Sequence, residues 1–262
     1  MSNRPPIIAS CASMYSRRNI LPDAILSLNG QVDRLYVYLN DYPRVTDTLL
    51  KLMKRCRKLV IHNRVEGDLS DAAKFFNTEA FAQNEGGAYH FTFDDDLVYR
   101  PGYVDIMIDK IEEYNRRCVV GLGGIIFEDR SRSYLYDRLK EINFQHSNPT
   151  DVQVCILKTG TMAYHTSIDR PVSMKIFEMP KMADLFFARW CHHRAKPMIV
   201  IEHKALEARQ NIGDKSDSIT SQIKAYAADE LYTRVINQTK WHSHIDFTLE
   251  RKDEISTTDN RI

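Results

Sequence analysis

Three consecutive aspartates, Asp94-Asp95-Asp96, directly follow the alternating aromatic segment Tyr89-His90-Phe91-Thr92-Phe93. Carboxylates this close repel one another, and a divalent cation relieves the repulsion. Hard oxygen ligands without a neighbouring His or Cys cluster suit Mn²⁺ or Mg²⁺ rather than zinc. A cation held there can stabilise a phosphate-type leaving group whose charge grows as a bond breaks. A solvated turn or cap would use the same three residues. Placement favours chemistry: the run ends a strand, the Pro101-Gly102 pair opens a helix soon after, and open α/β sheets bind ligands at the carboxyl ends of their strands.

The elements that must position this cluster alternate along the chain. Pro6–Cys11 reads as an apolar strand, Pro22 suits a helix start, and Arg34–Leu39 is a second strand stopped by Asn40-Asp41-Tyr42-Pro43. Leu49, Leu50, Met53 and Cys56 give a helix over Thr46–Arg57 with a basic outer face. Lys58–His62 supplies a third strand, and a Ser70-capped helix is expected to carry Ala73, Phe76 and Ala80 inward. Val104, Met107, Ile108 and Ile111 mark the helix after the acidic run. Later strands are expected at Val119–Phe127, Val152–Leu157, Thr161–His165 and Met198–Glu202, with a helix over Met182–His193 and a polar loop over Asn211–Ser218. Repeated β/α order predicts an α/β fold with a mainly parallel central sheet flanked by helices.

Composition narrows the rest. A chain of 262 residues with 43% hydrophobic and 27% charged content can bury one substantial core, and a formal net charge of +1 offers no general attraction for nucleic acid. The five cysteines are widely spaced without CxxC pairs and read as reduced core residues. Met1–Pro6 runs straight into the first strand with no signal-like apolar region, and Cys118–Phe127 is too short for a transmembrane helix, so a cytoplasmic protein is expected. Peripheral association with the inner face of the cytoplasmic membrane stays open.

In order along the chain, Ile7-Ile8-Ala9-Ser10, Gly67-Asp68 with Lys74, Phe93-Asp94-Asp95-Asp96, Thr159-Gly160-Thr161-Met162-Ala163 and Met182-Ala183-Asp184-Leu185-Phe186-Phe187-Ala188 resemble GT-A glycosyltransferases, notably the family-2-like enzymes of bacterial surface polysaccharide (capsule or O-antigen) synthesis. The resemblance implies a Rossmann-like nucleotide-diphospho-sugar transferase core over residues 1–204, with 205–262 as a loop and helical extension packing on the same domain. It implies a metal-dependent, inverting hexosyltransferase taking a nucleotide-sugar donor, UDP-linked by expectation, and a glycan or lipid-linked glycan acceptor. In that scheme Asp94 and Asp96 of a DXD-type motif hold the metal, with His203 as a third ligand. Asp94, Asp95, Lys74 and Asp68 contact the donor, Thr159, Gly160 and Thr161 face sugar or acceptor, and Asp184 is the base that deprotonates the acceptor hydroxyl.

The same residues also have plainer readings. Asp184 suits the first turn of a helix, Thr159-Gly160-Thr161 a hairpin, Arg17 and Lys74 a surface, His203 a structural histidine, and Trp241, His242 and His244 the packing of a tail. Two departures stand out: Leu39-Asn40-Asp41 only approximates the acidic end of a nucleotide-contacting strand, and no second acid precedes Asp184. Two other functions use the same acids, a nucleotide-sugar- or carbohydrate-binding module on the same scaffold that has lost turnover and a haloacid-dehalogenase-like phosphotransferase. The second would place its nucleophilic aspartate near the N-terminus.

Overall fold

The computed structural model describes residues 4–63, 67–127, 133–211, 229–239 and 241. In chain order its strands are β1 (Ile7–Met14), β2 (Arg34–Asn40), β3 (Leu59–Asn63), β4 (Tyr89–Asp94), β5 (Leu97–Tyr99), β6 (Val119–Gly121), β7 (Gly124–Phe127), β8 (Arg138–Ile142), β9 (Val152–Gln153), β10 (Ile156–Leu157), β11 (Thr161–His165), β12 (Met198–Val200) and β13 (Ala208–Gln210). The helices are α1 (Leu21–Asn29), α2 (Asp47–Arg55), α3 (Thr78–Ala82), α4 (Tyr103–Glu113), α5 (Ala183–His193) and α6 (Asp229–Asn237).

The central sheet has eight strands in the order β3-β2-β1-β4-β11-β6-β12-β9. Its first four strands are mutually parallel, and β1 is buried along nearly its whole length, as a strand covered on both faces must be. Helix α1 carries Pro22 in its first turn and buries Leu21, Ala24, Ile25 and Leu28, an i, i+3, i+4, i+7 stripe. Helix α2 is capped by Thr46, whose hydroxyl accepts the Leu49 N–H at 3.3 Å. Its inward pair is Leu49 and Leu52; Leu50 was expected inward but is exposed, because it lies about 100° around the helix from Leu49.

Strand β11 reverses direction, running antiparallel to both β4 and β6. Thr161 at its start therefore pairs with Phe93 at the end of β4, which sets the preceding Thr159-Gly160 segment beside Asp94. The reversal brings chain about 65 residues away back to the acidic strand end.

Three expected elements differ. The Ser70 segment is a 3₁₀ turn over Ser70–Phe75, followed by the separate short helix α3. Ser70 has φ of 52° and does not cap; its hydroxyl accepts the Lys181 N–H, while the Asn40 amide holds Leu69 N and Ser70 O. These tertiary tethers wind the segment more tightly than its own periodicity would. Val119–Phe127 is two strands, since the chain leaves the central sheet at Leu122-Gly123 and β7 joins a three-stranded sheet of order β10-β7-β8. Val152–Leu157 divides in the same way, β9 pairing with β12 and β10 with β7.

Beyond residue 204, β13 pairs with β5, and Tyr232, Val235, Ile236 and Trp241 are buried in the cluster that includes α5. The Trp241 ring lies edge-on to His192 with centroids 4.8 Å apart. Residues 212–218 of the expected polar loop, with His242 and His244, lie outside the described residues. All five cysteines are buried, and none is joined in a disulfide.

At Gly124 a Cβ would come within 2.8 Å of Ile156 O and Val154 Cγ2, because two sheets meet there. Gly124→Ala should therefore destabilise the fold by about 1–3 kcal/mol through overpacking, read as a lower midpoint in thermal or urea unfolding. An unchanged midpoint would contradict this close approach.

Candidate active site

A cleft of about 770 Å³ opens where β1, β2 and β4 end, lined by Ala12 and Met14, Asn40 and Asp41, and Asp94–Asp96. Lys158–Gly160, the start of α5 and residues of the turn and strand around β8 complete the lining. Strand ends, a 3₁₀ turn and a helix N-terminus thus converge on one space.

Lys74 is the connecting residue. It is 5% exposed, and its Nζ donates to Asp94 Oδ1 and, at 3.1 Å, to Thr159 Oγ1. Burial alone would push this ammonium's pKa down, but Asp94, Asp184 and Asp71 outweigh burial and hold it above the ordinary lysine value. Lys74 is therefore charged. Thr159 passes the connection on: its N–H and hydroxyl both donate to Asp184 Oδ1, at 3.0 and 2.5 Å. Asp94 at the end of β4 and Asp184 in the first turn of α5 are linked through two side chains.

The other two acids of the run are held separately. Arg17, in the turn after β1, donates to Asp96 Oδ2 at 2.7 Å and lies 3.9 Å from Asp95. Burial pushes the Asp95 carboxyl up to about 7, aided by Asp96 and Asp94 and opposed by Ser13 and Arg17. Behind the α5 N-terminus, Asp71 accepts the Ala183 N–H at 2.9 Å on Oδ2, while its buried Oδ1 has no hydrogen-bond partner among the described residues. Burial raises this carboxyl to about 6.

Gly160 is required by its neighbour, since a Cβ there would overlap Asp94 Oδ2. The Tyr99 hydroxyl donates to the Gly160 carbonyl at 2.6 Å and accepts the Asp94 N–H at 2.9 Å. Tyr99 thereby pins Asp94 to the loop that faces it.

Asp68, Lys74, Asp94, Asp95, Asp96, Thr159, Gly160 and Asp184 all line the cleft. Asp68 lies at its edge and accepts the Ser70 N–H at 2.8 Å. The structure places two expected residues elsewhere. Thr161 is inside β11, 1% exposed and away from the cleft wall, because strand alternation turns it into the sheet. His203 is buried beyond β12, its Nδ1 2.8 Å from Ile201 O and its backbone paired with Asn148, and it does not line the cleft. Among the described residues no three His, Cys, Asp or Glu side chains converge as metal ligands.

Asp71 and the β8 hairpin were missed. Asp68, Asp71 and Lys74 recur every third residue, the period of a 3₁₀ turn, and that spacing marks one face. Nothing local in residues 133–142 shows that the hairpin folds over the cleft.

No family model matches the chain, and no curated protein matches it. In structure it is similar to S. aureus TarS 1-349, with a TM-score of 0.52 and 13% identity over 96% of this chain and 75% of that one. The shared fold is α/β, with a mostly parallel, Rossmann-like central sheet flanked by helices. Crystal structures of the same TarS segment with UDP (TM-score 0.51, 12% identity, 96% and 75% coverage) and with UDP-GlcNAc (TM-score 0.51, 14% identity, 96% and 76% coverage) are similar to the same extent. At these identities the likeness concerns the fold.

Two outcomes test the site's physics. Gly160→Ala should displace the Asp94 carboxylate and weaken its contact with Lys74, lowering the thermal midpoint by an amount equivalent to about 1–3 kcal/mol. Asp71 and Asp95 both have folded pKa values above the ordinary carboxylate value of 3.8, so the folded chain holds protons that the unfolded chain releases. Their stabilising contribution is full below pH about 4 and is lost as pH rises through 6 to 7. In thermal scans across that range Asp71→Asn should lose stability less steeply than the parent; parallel curves would refute the assignment.

Proposed function

We propose that the chain moves a sugar from a nucleoside-diphosphate donor to a hydroxyl of a glycan acceptor, by single displacement with inversion. The observation that carries this reading is the link Asp94–Lys74–Thr159–Asp184, which couples the acidic end of β4 to a helix-borne carboxylate inside one cleft. The TarS segment that shares this fold takes UDP and UDP-GlcNAc, which makes a UDP-sugar the donor to test first. A surface glycan or a lipid-linked glycan fits as acceptor, and no helix among the described residues is long and apolar enough to cross a membrane.

The acids fit a hard divalent cation. Asp94 and Asp96 each leave one carboxylate oxygen outside the contacts made by Lys74 and Arg17. Mg²⁺-type ions are commonly held by one or two carboxylates, with substrate phosphates and water filling the shell, so two protein ligands suffice without His203. Mn²⁺ or Mg²⁺ bound there would offset the charge that grows on the departing diphosphate.

The chain's own residues account for the remaining steps. Asp184 Oδ1 is fixed by Thr159, which leaves Oδ2 to take the proton of the acceptor hydroxyl. The freed oxygen attacks the anomeric carbon, the bond from that carbon to the diphosphate oxygen breaks, and the nucleoside diphosphate leaves. Lys74 and Arg17 keep the acidic cluster folded in the absence of ligand, and their charge favours an incoming diphosphate. Asp68 and Asp95 stand as further donor contacts at the edge and floor of the cleft.

Thermal-shift measurements with UDP-GlcNAc, with and without Mn²⁺, should show metal-dependent stabilisation that Asp96→Ala abolishes. Asp184→Asn should keep that shift and lose about 10²–10⁴-fold in transfer rate, the usual contribution of a general base. Transfer at the parent rate by Asp184→Asn would remove it as the base.

A further inference from the structure

The turn over residues 133–137 is held more firmly than an exposed hairpin end requires. Thr233 Oγ1 accepts the Tyr134 N–H at 2.8 Å, Asp229 Oδ1 accepts the Leu135 N–H at 2.8 Å, and Ser133 Oγ accepts the Tyr136 N–H at 2.9 Å. Asp137 Oδ2 closes the turn by accepting the Ser133 N–H at 3.1 Å. The buried Tyr134 ring packs on Tyr232, centroids 5.0 Å apart, with the Arg138 guanidinium over it at 4.9 Å. Helix α6 therefore clamps this turn to the body of the protein.

What the clamped turn presents is Tyr136. It is 79% exposed, the most exposed large apolar side chain among the described residues, and it lines the same cleft as Asp184. The turn lies on the α5 side of that cleft, since Tyr134 and Tyr232 are buried in the same cluster as Ala183 and Leu185, which flank Asp184. Next to it Glu141 accepts from Arg138 and Lys158, each at 2.5 Å, and Lys158 directly precedes the Thr159 that orients Asp184. An apolar ring thus stands beside a fringe of charged donors and acceptors.

Resting on the glycosyl-transfer reading above, we infer that Tyr136 on its clamped turn is the stacking platform for a saccharide ring of the acceptor, with the Arg138–Glu141–Lys158 group taking that ring's hydroxyls. A saccharide ring has an apolar C–H face and a rim of hydroxyls, and an aromatic ring flanked by polar groups matches both. Tyrosine offers a large contact area with little rotamer freedom to lose, and fastening the turn in advance lowers the ordering penalty further. The donor's diphosphate belongs to the end of β4, which leaves this wall to the nucleophile.

The test uses the full chain against an immobilised panel of hexose and N-acetylhexosamine oligosaccharides, with the UDP-GlcNAc and Mn²⁺ thermal shift measured in parallel. The parent protein should retain a subset of the panel, Tyr136→Ala should lose that retention at least tenfold, and Tyr136→Phe, which keeps the ring, should preserve it. Donor-induced shifts should be the same in all three, and Leu139→Ala, exposed but off the cleft wall, should retain glycans as the parent does. Undiminished retention by Tyr136→Ala overturns the platform, as does a parent protein that binds donor but retains no glycan. Loss of both donor shift and glycan retention in the parent protein overturns the platform and the transfer reading together.

Discussion

Lys74 places a charged nitrogen where water scarcely reaches, and an ammonium left alone there would be strongly unfavourable. Asp94 and Thr159 satisfy it, and Thr159 in turn satisfies Asp184. Removing Asp94 strands the Lys74 charge, at a cost below the ~3–5 kcal/mol of a fully buried pair because the Asp94 side chain is 40% exposed. The 3₁₀ turn that carries Lys74, the loop before β11 and the first turn of α5 are thereby held to one geometry. In the proposed transfer, that geometry would set one carboxylate toward a diphosphate and another toward a hydroxyl.

The sheet explains why residues so far apart in sequence meet. Parallel strands β1, β2 and β4 deliver their carboxyl ends to one edge, and the antiparallel β11 feeds Thr159 and Gly160 into that edge from the other direction. Helix α5 then points its N-terminus at the same space, with Asp71 accepting its first free N–H. Asp71 thus fixes the helix start from which Asp184 projects. A second layer of fixation comes from α6, which holds the β8 hairpin against the cleft through Thr233 and Asp229.

The first half of this architecture was legible in the sequence because its information is local. Strand and helix periods alternate up to Asp96, and Pro22, Thr46 and Pro101 mark helix starts by known stereochemistry. The second half was less legible. Val119–Phe127 and Val152–Leu157 are continuous apolar runs, and periodicity does not reveal that each leaves one sheet for another midway. Ser70 has the composition of a cap, yet Asn40, Asp68 and Lys181 together impose a left-handed backbone there. Of the residues expected at the site, Asp94, Asp96 and Asp184 line one cleft, as a strand end and a helix start at one sheet edge would allow. His203 does not line the cleft, and a histidine after a strand carries no sign of which way it faces; Asp71 meets Ala183 112 residues on, and the turn that carries Tyr136 is tied through Leu135 to Asp229, 94 residues on.

In the proposed transfer, one buried lysine holds the two halves of the site together. The most direct test of that link is the rate of UDP release from UDP-GlcNAc with Mn²⁺ by Lys74→Met, a measurement that needs no acceptor because water can take the sugar. With Asp94 and Asp184 no longer linked, the account predicts a loss of at least about 10²-fold in a protein that still unfolds cooperatively. UDP release at the parent rate by a folded Lys74→Met protein would contradict it.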